Sequence, residues 1–205
     1  MTTINAETGE SGEQVRSARS ASSASNVVPV MHIYRTFLPT PLGEMMALAS
    51  DAGLCALEFT GPTRLTRLEA RLRRWFPPHE IVDGDTPTLA PTRAWLAGYF
   101  EGTSAKINGL PLDMHGAPFE KRVWEALIAI PPGHTTSYGA IAKQLASPGA
   151  SRAVGAANGA NPISIIVPCH RVIGSTGSLT GYGGGLDRKT WLIDHERRWR
   201  EDNLF

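Results

Sequence analysis

The chain is 205 residues long, room for one large domain or two small ones. Hydrophobic residues make up 41% and charged residues 19%, a balance that excludes a fibrous, wholly disordered or membrane-embedded protein. The formal net charge of +1 means that any contact with nucleic acid has to come from a local arrangement of residues rather than from bulk charge.

No apolar run is long enough to span a bilayer, and the N-terminus lacks the basic-then-apolar order of a secretory signal. The expected location is the cytoplasm. Two cysteines, Cys55 and Cys169, sit in unlike contexts and do not suggest a disulfide framework. No Cys/His cluster has zinc spacing, and neither a Walker-type loop nor a dinucleotide fingerprint appears. The expectation is therefore no metal and no organic cofactor.

Residues 1–28 are rich in Ser, Ala, Gly and charge and poor in large apolar side chains. Such a segment cannot bury enough surface to offset its ordering entropy, and it reads as a disordered tail. From Val30 onward, MHIYRTFLPTPLGEMMALASDAGLCALEFTG reads as short strands broken at Pro-Leu-Gly and Asp-Ala-Gly turns. RLTRLEARLRRWF then places Leu65, Leu68, Leu72 and Trp75 at helical spacing, and PTRAWLAGYFEG predicts a second short helix closed by Gly102. Residues 29–105 thus form a small α/β domain, and 106–112 a turn-rich connection. Cys55, inside GLCALEF, reads as core packing.

Residues 113–205 read as mainly helical. GAPFEKRVWEALIAI carries Phe119, Val123, Leu127 and Ile130 on one stripe before Pro131-Pro132-Gly133 stops it. SYGAIAKQLA starts from a Ser137 cap, and ASRAVGAANGANP, made mostly of small residues, is a third helix stopped by Pro162. Two short helices joined by a tight turn suggest a helix-turn-helix, winged-helix-like in type. The last helix, LDRKTWLIDHERRW, has Asp187 at its start and basic residues at its end, as the helix dipole favours.

The chemistry lies in Ile165-Ile166-Val167-Pro168-Cys169-His170-Arg171-Val172, where an apolar run, read as a strand, ends at a cysteine flanked by histidine and arginine. A thiolate is the nucleophile, and cationic or hydrogen-bonding neighbours lower a thiol's pKa from about 8.5. His170 is placed to act as base or to hold a bridging water. A base needs an orienting acceptor, and the last helix offers Glu196 or, less well, Asp194. Arg171 reads equally as a thiolate stabiliser or as an ion-pair partner. A thiol hydrolase with a Cys-His-Glu arrangement is a reading of the same residues, though no oxyanion hole is evident.

The run Arg152-Ala153-Val154-Gly155-Ala156-Ala157-Asn158-Gly159-Ala160-Asn161-Pro162 before the cysteine and Gly181-Tyr182-Gly183-Gly184-Gly185-Leu186 after it change the odds. Together with the Pro-Cys-His-Arg-Val core they resemble the O6-alkylguanine-DNA alkyltransferases, or methylated-DNA–protein-cysteine methyltransferases. The resemblance is strong over about 113–205 and weak before it. It implies irreversible, single-turnover transfer of an alkyl group from O6-alkylguanine in double-stranded DNA to Cys169, by a monomer without a cofactor. It also implies roles: His170 deprotonates the thiol through a water, Glu196 completes the network, and Asn161 braces the segment before the cysteine. Tyr138 assists rotation of the nucleotide and donates to the guanine, and Arg152 enters the duplex in place of the flipped base. Tyr182, with Val172, Gly183 and Asn158, lines the base pocket. The small residues Ala153, Gly155, Ala156 and Gly159 allow close approach to DNA in a shallow minor-groove fit; taken alone, they equally suit tight helix packing. The presence of Cys169 departs from the alkyltransferase-like proteins that lack the cysteine but bind the same lesions. The cysteine count departs from the relatives that carry a four-cysteine zinc domain.

Overall fold

The computed structural model describes residues 30–103, 107 and 109–202, so the tail assigned to 1–28 lies outside the described residues. Strands β1 (Met31–Leu38), β2 (Met45–Ser50), β3 (Gly53–Phe59) and β4 (His79–Asp83) form one sheet in the order β3-β2-β1-β4. The first three make an antiparallel meander, and β4 runs parallel to β1. The parallel return needs a crossover, which α1 (Pro62–Trp75) supplies. Its Leu68 and Leu72 are buried against one face of the sheet, with Met46, Leu48, Cys55 and Ala56. Strand β2 is buried along its whole length, because alternate residues Met45, Ala47 and Ala49 face the other way, into the larger core. Strand β4 is additional to the strands expected from the sequence. It is an edge strand with no fully buried residue, so its sequence shows no alternation.

Helix α2 (Ala90–Phe100) follows, as expected from its sequence. The chain then crosses to a helical half: α3 (Pro118–Ile128), α4 (Tyr138–Gln144), α5 (Ser151–Gly159) and α6 (Leu186–Asp202), with a two-stranded pair of β5 (Thr136–Ser137) and β6 (Val172–Ile173). Glu120 accepts a hydrogen bond from the Ala117 amide at 2.8 Å at the start of α3. Ser137 caps α4 as predicted, accepting from the Ala140 amide at 3.1 Å. Helices α4 and α5 are joined by residues 145–150, where Ala146 and Gly149 take positive φ.

The larger core crosses between the halves. Leu54, Leu57 and Phe59 of β3 and Trp95, Leu96 and Tyr99 of α2 are buried in the same cluster as Val123, Trp124 and Leu127 of α3 and Leu192 of α6. Backbone bonds stitch the junction: the Leu54 amide donates to Pro111, and the Leu57 amide to Pro162 at 2.9 Å. No helix among the described residues is long and apolar enough to cross a membrane.

Candidate active site

The apolar run before the cysteine is not the strand expected from its sequence. Residues Ile163 to Val167 are all buried but form a tight turn, with the branched side chain of Ile165 at φ 71°. That conformation is costly for a branched residue and persists only when its surroundings impose it. Asn161 does so. Its side-chain oxygen accepts from the Ile163 amide at 3.0 Å, and its Nδ2 donates to the Val167 carbonyl at 2.8 Å. One side chain thus takes the place of a partner strand. The Leu57–Ser164 backbone bond and the buried hydrogen bond from Ser164 to Glu58 pin the turn to β3.

Behind this turn Cys169, His170 and Arg171 form one turn of 3-10 helix, all three buried. The His170 Nε2 lies 2.8 Å from Glu196 Oε1. A carboxylate only accepts, so Nε2 carries the proton and Nδ1 of the neutral ring is left as an acceptor. That Nδ1 is buried with no hydrogen-bond partner among the described residues. Of the two acidic candidates in α6, Glu196 is therefore the one delivered to the histidine. Asp194 faces away and pairs with Arg197 at 3.5 Å.

Glu196 is 1% exposed and gathers five donors. Tyr99 Oη donates at 2.7 Å, His170 Nε2 at 2.8 Å, Arg171 through Nε and Nη2 at 2.9 Å each, and the Gly133 amide at 3.1 Å. Burial alone would raise its pKa. The attraction and hydrogen bond of His170 and the paired Arg171 outweigh burial and hold the carboxyl well below the usual range. Arg171 is thus the ion-pair partner of Glu196, and it also donates to the Ile130 carbonyl. Burial pushes His170 down despite Glu196, so the imidazole is neutral near neutral pH.

The expected cationic depression of the thiol is not found. Cys169 is 5% exposed, and burial raises its pKa; a hydrogen bond from Asn161 and the more distant Arg64 and Lys189 offset this in part, while Glu58 adds to it. The resting group is a thiol beside a neutral acceptor. Cys55 is a buried thiol too, pushed up to about 12, mainly by burial, and bonded to the Leu48 carbonyl at 3.2 Å.

The remaining predicted residues fall in three places. Tyr182 lies edge-on to His170, ring centroids 6.4 Å apart, with its hydroxyl buried and unpartnered among the described residues. Burial first, then the neighbouring Cys169, raises its pKa strongly. Gly183 is exposed beside it, and Val172 is fully buried in β6. Asn158 points inward, its amide 3.4 Å from the Cys169 carbonyl, so it supports the cysteine's backbone. On α5, Arg152, Ala153, Ala156 and Gly159 are exposed and Gly155 half-buried, so the small residues mostly form a surface rather than a helix-packing seam. Tyr138 starts α4 and lays its ring along Gly155.

Three contributors escaped the sequence reading. Tyr99 reaches Glu196 from α2. Lys189, fully buried in α6, donates to the Val172 and Thr180 carbonyls at 2.6 Å each and ties the glycine loop to β6. Arg64 pairs with buried Glu58 and lies so close over Gly183 that a Cβ there would collide with its guanidinium. Among the described residues, no group of three or more His, Cys, Asp or Glu side chains could hold a metal ion.

Comparison with known proteins gives one family throughout. Residues 33–114 match the model of the 6-O-methylguanine DNA methyltransferase ribonuclease-like domain, and 118–198 that of the 6-O-methylguanine DNA methyltransferase DNA-binding domain. A methylated-DNA–protein-cysteine methyltransferase of Mycolicibacterium paratuberculosis is 59% identical over 76% of this chain and 93% of its own length. The protein of that name from Salmonella typhimurium is 61% identical, but the match spans 49% of this chain and 59% of that protein. The crystal structure of Mycobacterium tuberculosis OGT in complex with DNA superposes with a TM-score of 0.69 at 39% identity, covering 82% of this chain and 94% of that one. The chain belongs to the 6-O-methylguanine DNA methyltransferase family.

Proposed function

We propose that this protein repairs alkylated double-stranded DNA by moving the alkyl group of an O6-alkylguanine onto its own Cys169, once per molecule, as a methylated-DNA–protein-cysteine methyltransferase. The observation that carries the proposal is the buried order Cys169, His170, Glu196, in which Glu196 holds the Nε2 proton of His170 and leaves Nδ1 free to accept.

The chemistry follows from that order. The Sγ proton moves to His170 Nδ1, directly or through a bridging water. The sulfur attacks the alkyl carbon, a carbon–sulfur bond forms, and the carbon–O6 bond breaks with its electron pair leaving on guanine. A proton replaces the alkyl group on the base, so the thiol proton is balanced by the restored guanine. Glu196 stabilises the transient imidazolium without taking its proton, because its donors hold the carboxyl well below the usual range and keep it ionised. Tyr138 donates to the departing guanine, and Tyr182, with the neighbouring glycines and Val172, bounds the base. The thioether has no evident route to hydrolysis, so the protein is consumed. No metal or organic cofactor takes part.

Helices α4 and α5 act as a helix-turn-helix, with the exposed small face of α5 set into the minor groove. Arg152 at its start fills the space left by the flipped nucleotide, its planar guanidinium stacking there. The protein acts as a monomer in the reducing cytoplasm, where both cysteines stay free.

The test is the intact mass of the protein after incubation with a duplex carrying one O6-methylguanine, with Cys169→Ala in parallel. The expected result is one methyl group on Cys169, guanine restored in equal amount, and none on the variant. Binding without a gain in mass would make the protein a lesion sensor. Neither binding nor gain would remove the proposal and favour a thiol hydrolase.

A further inference from the structure

Tyr99 comes from α2, in the half of the chain that carries the sheet. Its ring is fully buried, stacked on Trp95 at 5.1 Å and edge-on to Phe100 and Trp199. Packing alone would be served equally by phenylalanine. A buried hydroxyl costs free energy unless it has a partner, and here the partner is Glu196 Oε1 at 2.7 Å, the same oxygen that receives His170 Nε2 at 2.8 Å. Each donor on that oxygen withdraws charge from the bond to the histidine, and a weaker carboxylate leaves the imidazole less basic. The other groups facing this pair are Arg171 beside it and Lys189 of α6. Tyr182 stands across the ring of His170, and His195 of α6 bonds the Tyr99 carbonyl at 2.7 Å. Glu58 and Arg64 act on Cys169 from the sheet side. Tyr99 can be altered with almost no change in volume and none in charge.

We infer that Tyr99 is a positioning residue of the transfer: its phenol holds the Glu196 carboxylate and sets the pH below which His170 no longer accepts the Cys169 proton. This rests on the alkyl-transfer reading above. It gives the sheet-bearing half a direct part in the chemistry of the helical half.

The experiment is single-turnover methyl transfer from an O6-methylguanine duplex between about pH 5 and 9, with the full chain, for wild type, Tyr99→Phe, and protein carrying 3-fluorotyrosine at position 99. The histidine ring nitrogens are titrated by NMR in the same three proteins without DNA. Loss of the hydroxyl moves the acidic limb of the rate profile, and the His170 titration, to higher pH by about one unit. The fluorinated phenol, a stronger donor of nearly the same size, moves both the other way. The rate above the limb stays within about threefold of wild type, short of the roughly tenfold or more that loss of a full charge-assisted bond would give. Unchanged limbs in a wild type that transfers would overturn the role of Tyr99. A wild type that transfers at no pH would overturn the repair reading instead, and the NMR titration still decides Tyr99. If Tyr99→Phe does not fold, the fluorinated protein decides by the same two measurements.

Discussion

Replacing Glu196 with Gln keeps the volume of the side chain and removes its charge. In the native protein that charge neutralises Arg171, 3% exposed, and accepts from Tyr99, His170 and Gly133 as well. The substitution leaves a buried guanidinium unpaired and turns an amide donor toward other donors. Breaking a buried ion pair from one side costs about 3–5 kcal/mol, and at this chain length each kcal/mol lowers Tm by about 2–4 °C, so a fall of about 6–20 °C is expected. Adding Arg171→Met, which removes the stranded charge, should recover part of it. Circular dichroism melts at several pH values test both points. The pH dependence carries a sign. Glu196 and His170 are both depressed in the folded state, so below their unfolded values the unfolded chain binds more protons and stability falls with acid. For His170 the loss begins as pH drops below its ordinary value of 6.5, and for Glu196 below 4.5. Glu196→Gln abolishes the second of these losses. A variant that melts within about 2 °C of wild type, with an unchanged acid profile, would refute the reading of Glu196 as a buried anion that anchors the site.

Further outcomes follow from the same geometry. Arg152→Ala, on an exposed face of α5, should weaken binding and transfer on duplex O6-methylguanine while Tm stays within about 1 °C of wild type, as for a surface change. Asn161→Leu strands the Ile163 amide and the Val167 carbonyl; at about 1–3 kcal/mol each this predicts a loss of about 2–6 kcal/mol in urea unfolding and a slow transfer. In Gly184→Ala the new Cβ meets Tyr182 Cε1 at 2.7 Å and Phe59 Cδ2 at 2.9 Å. The expected result is a slower transfer with a smaller loss of stability, read from single-turnover rates against Tm.

What the sequence disclosed depended on whether a residue's neighbours in the chain are its neighbours in space. Cys169, His170 and Arg171 share one turn, so their adjacency carried over directly. The choice between Glu196 and Asp194 is also written in α6, though not as charge. Lys189, Leu192, Ile193 and Glu196 follow one another at i, i+3, i+4 and i+7, and all four are buried. The stripe is an inward face with a charged residue at each end. A reading that sends charged residues to solvent loses it, and Lys189 with it. Tyr99 lies four residues after Trp95 on the buried face of α2, so its burial was legible, but its partner lies 97 residues away. The run Ile163 to Val167 misled because burial on all sides looks the same for a central strand and for a turn held by one asparagine.

The protection of the thiol bears on the proposed transfer, which can happen once. Under the proposed transfer the protein is consumed by its own product, so it loses everything if Cys169 meets the wrong electrophile, and a resting thiolate would invite that. Cys169 is instead buried with its pKa raised, and in the proposed step the neutral His170 beside it takes the proton only as the reaction proceeds. The cost in resting reactivity is offset by an acceptor already in place. Both cysteines should therefore react slowly with a neutral thiol reagent such as iodoacetamide in the folded protein, and quickly once it is unfolded. Cys55 is buried too, with a raised pKa, but its thiol donates to the Leu48 carbonyl. A duplex carrying O6-methylguanine should accordingly label Cys169 and never Cys55, at a pH where iodoacetamide labels neither. Rapid labelling of Cys169 in the folded, DNA-free protein would show that its thiolate is already formed and would remove His170 from the step.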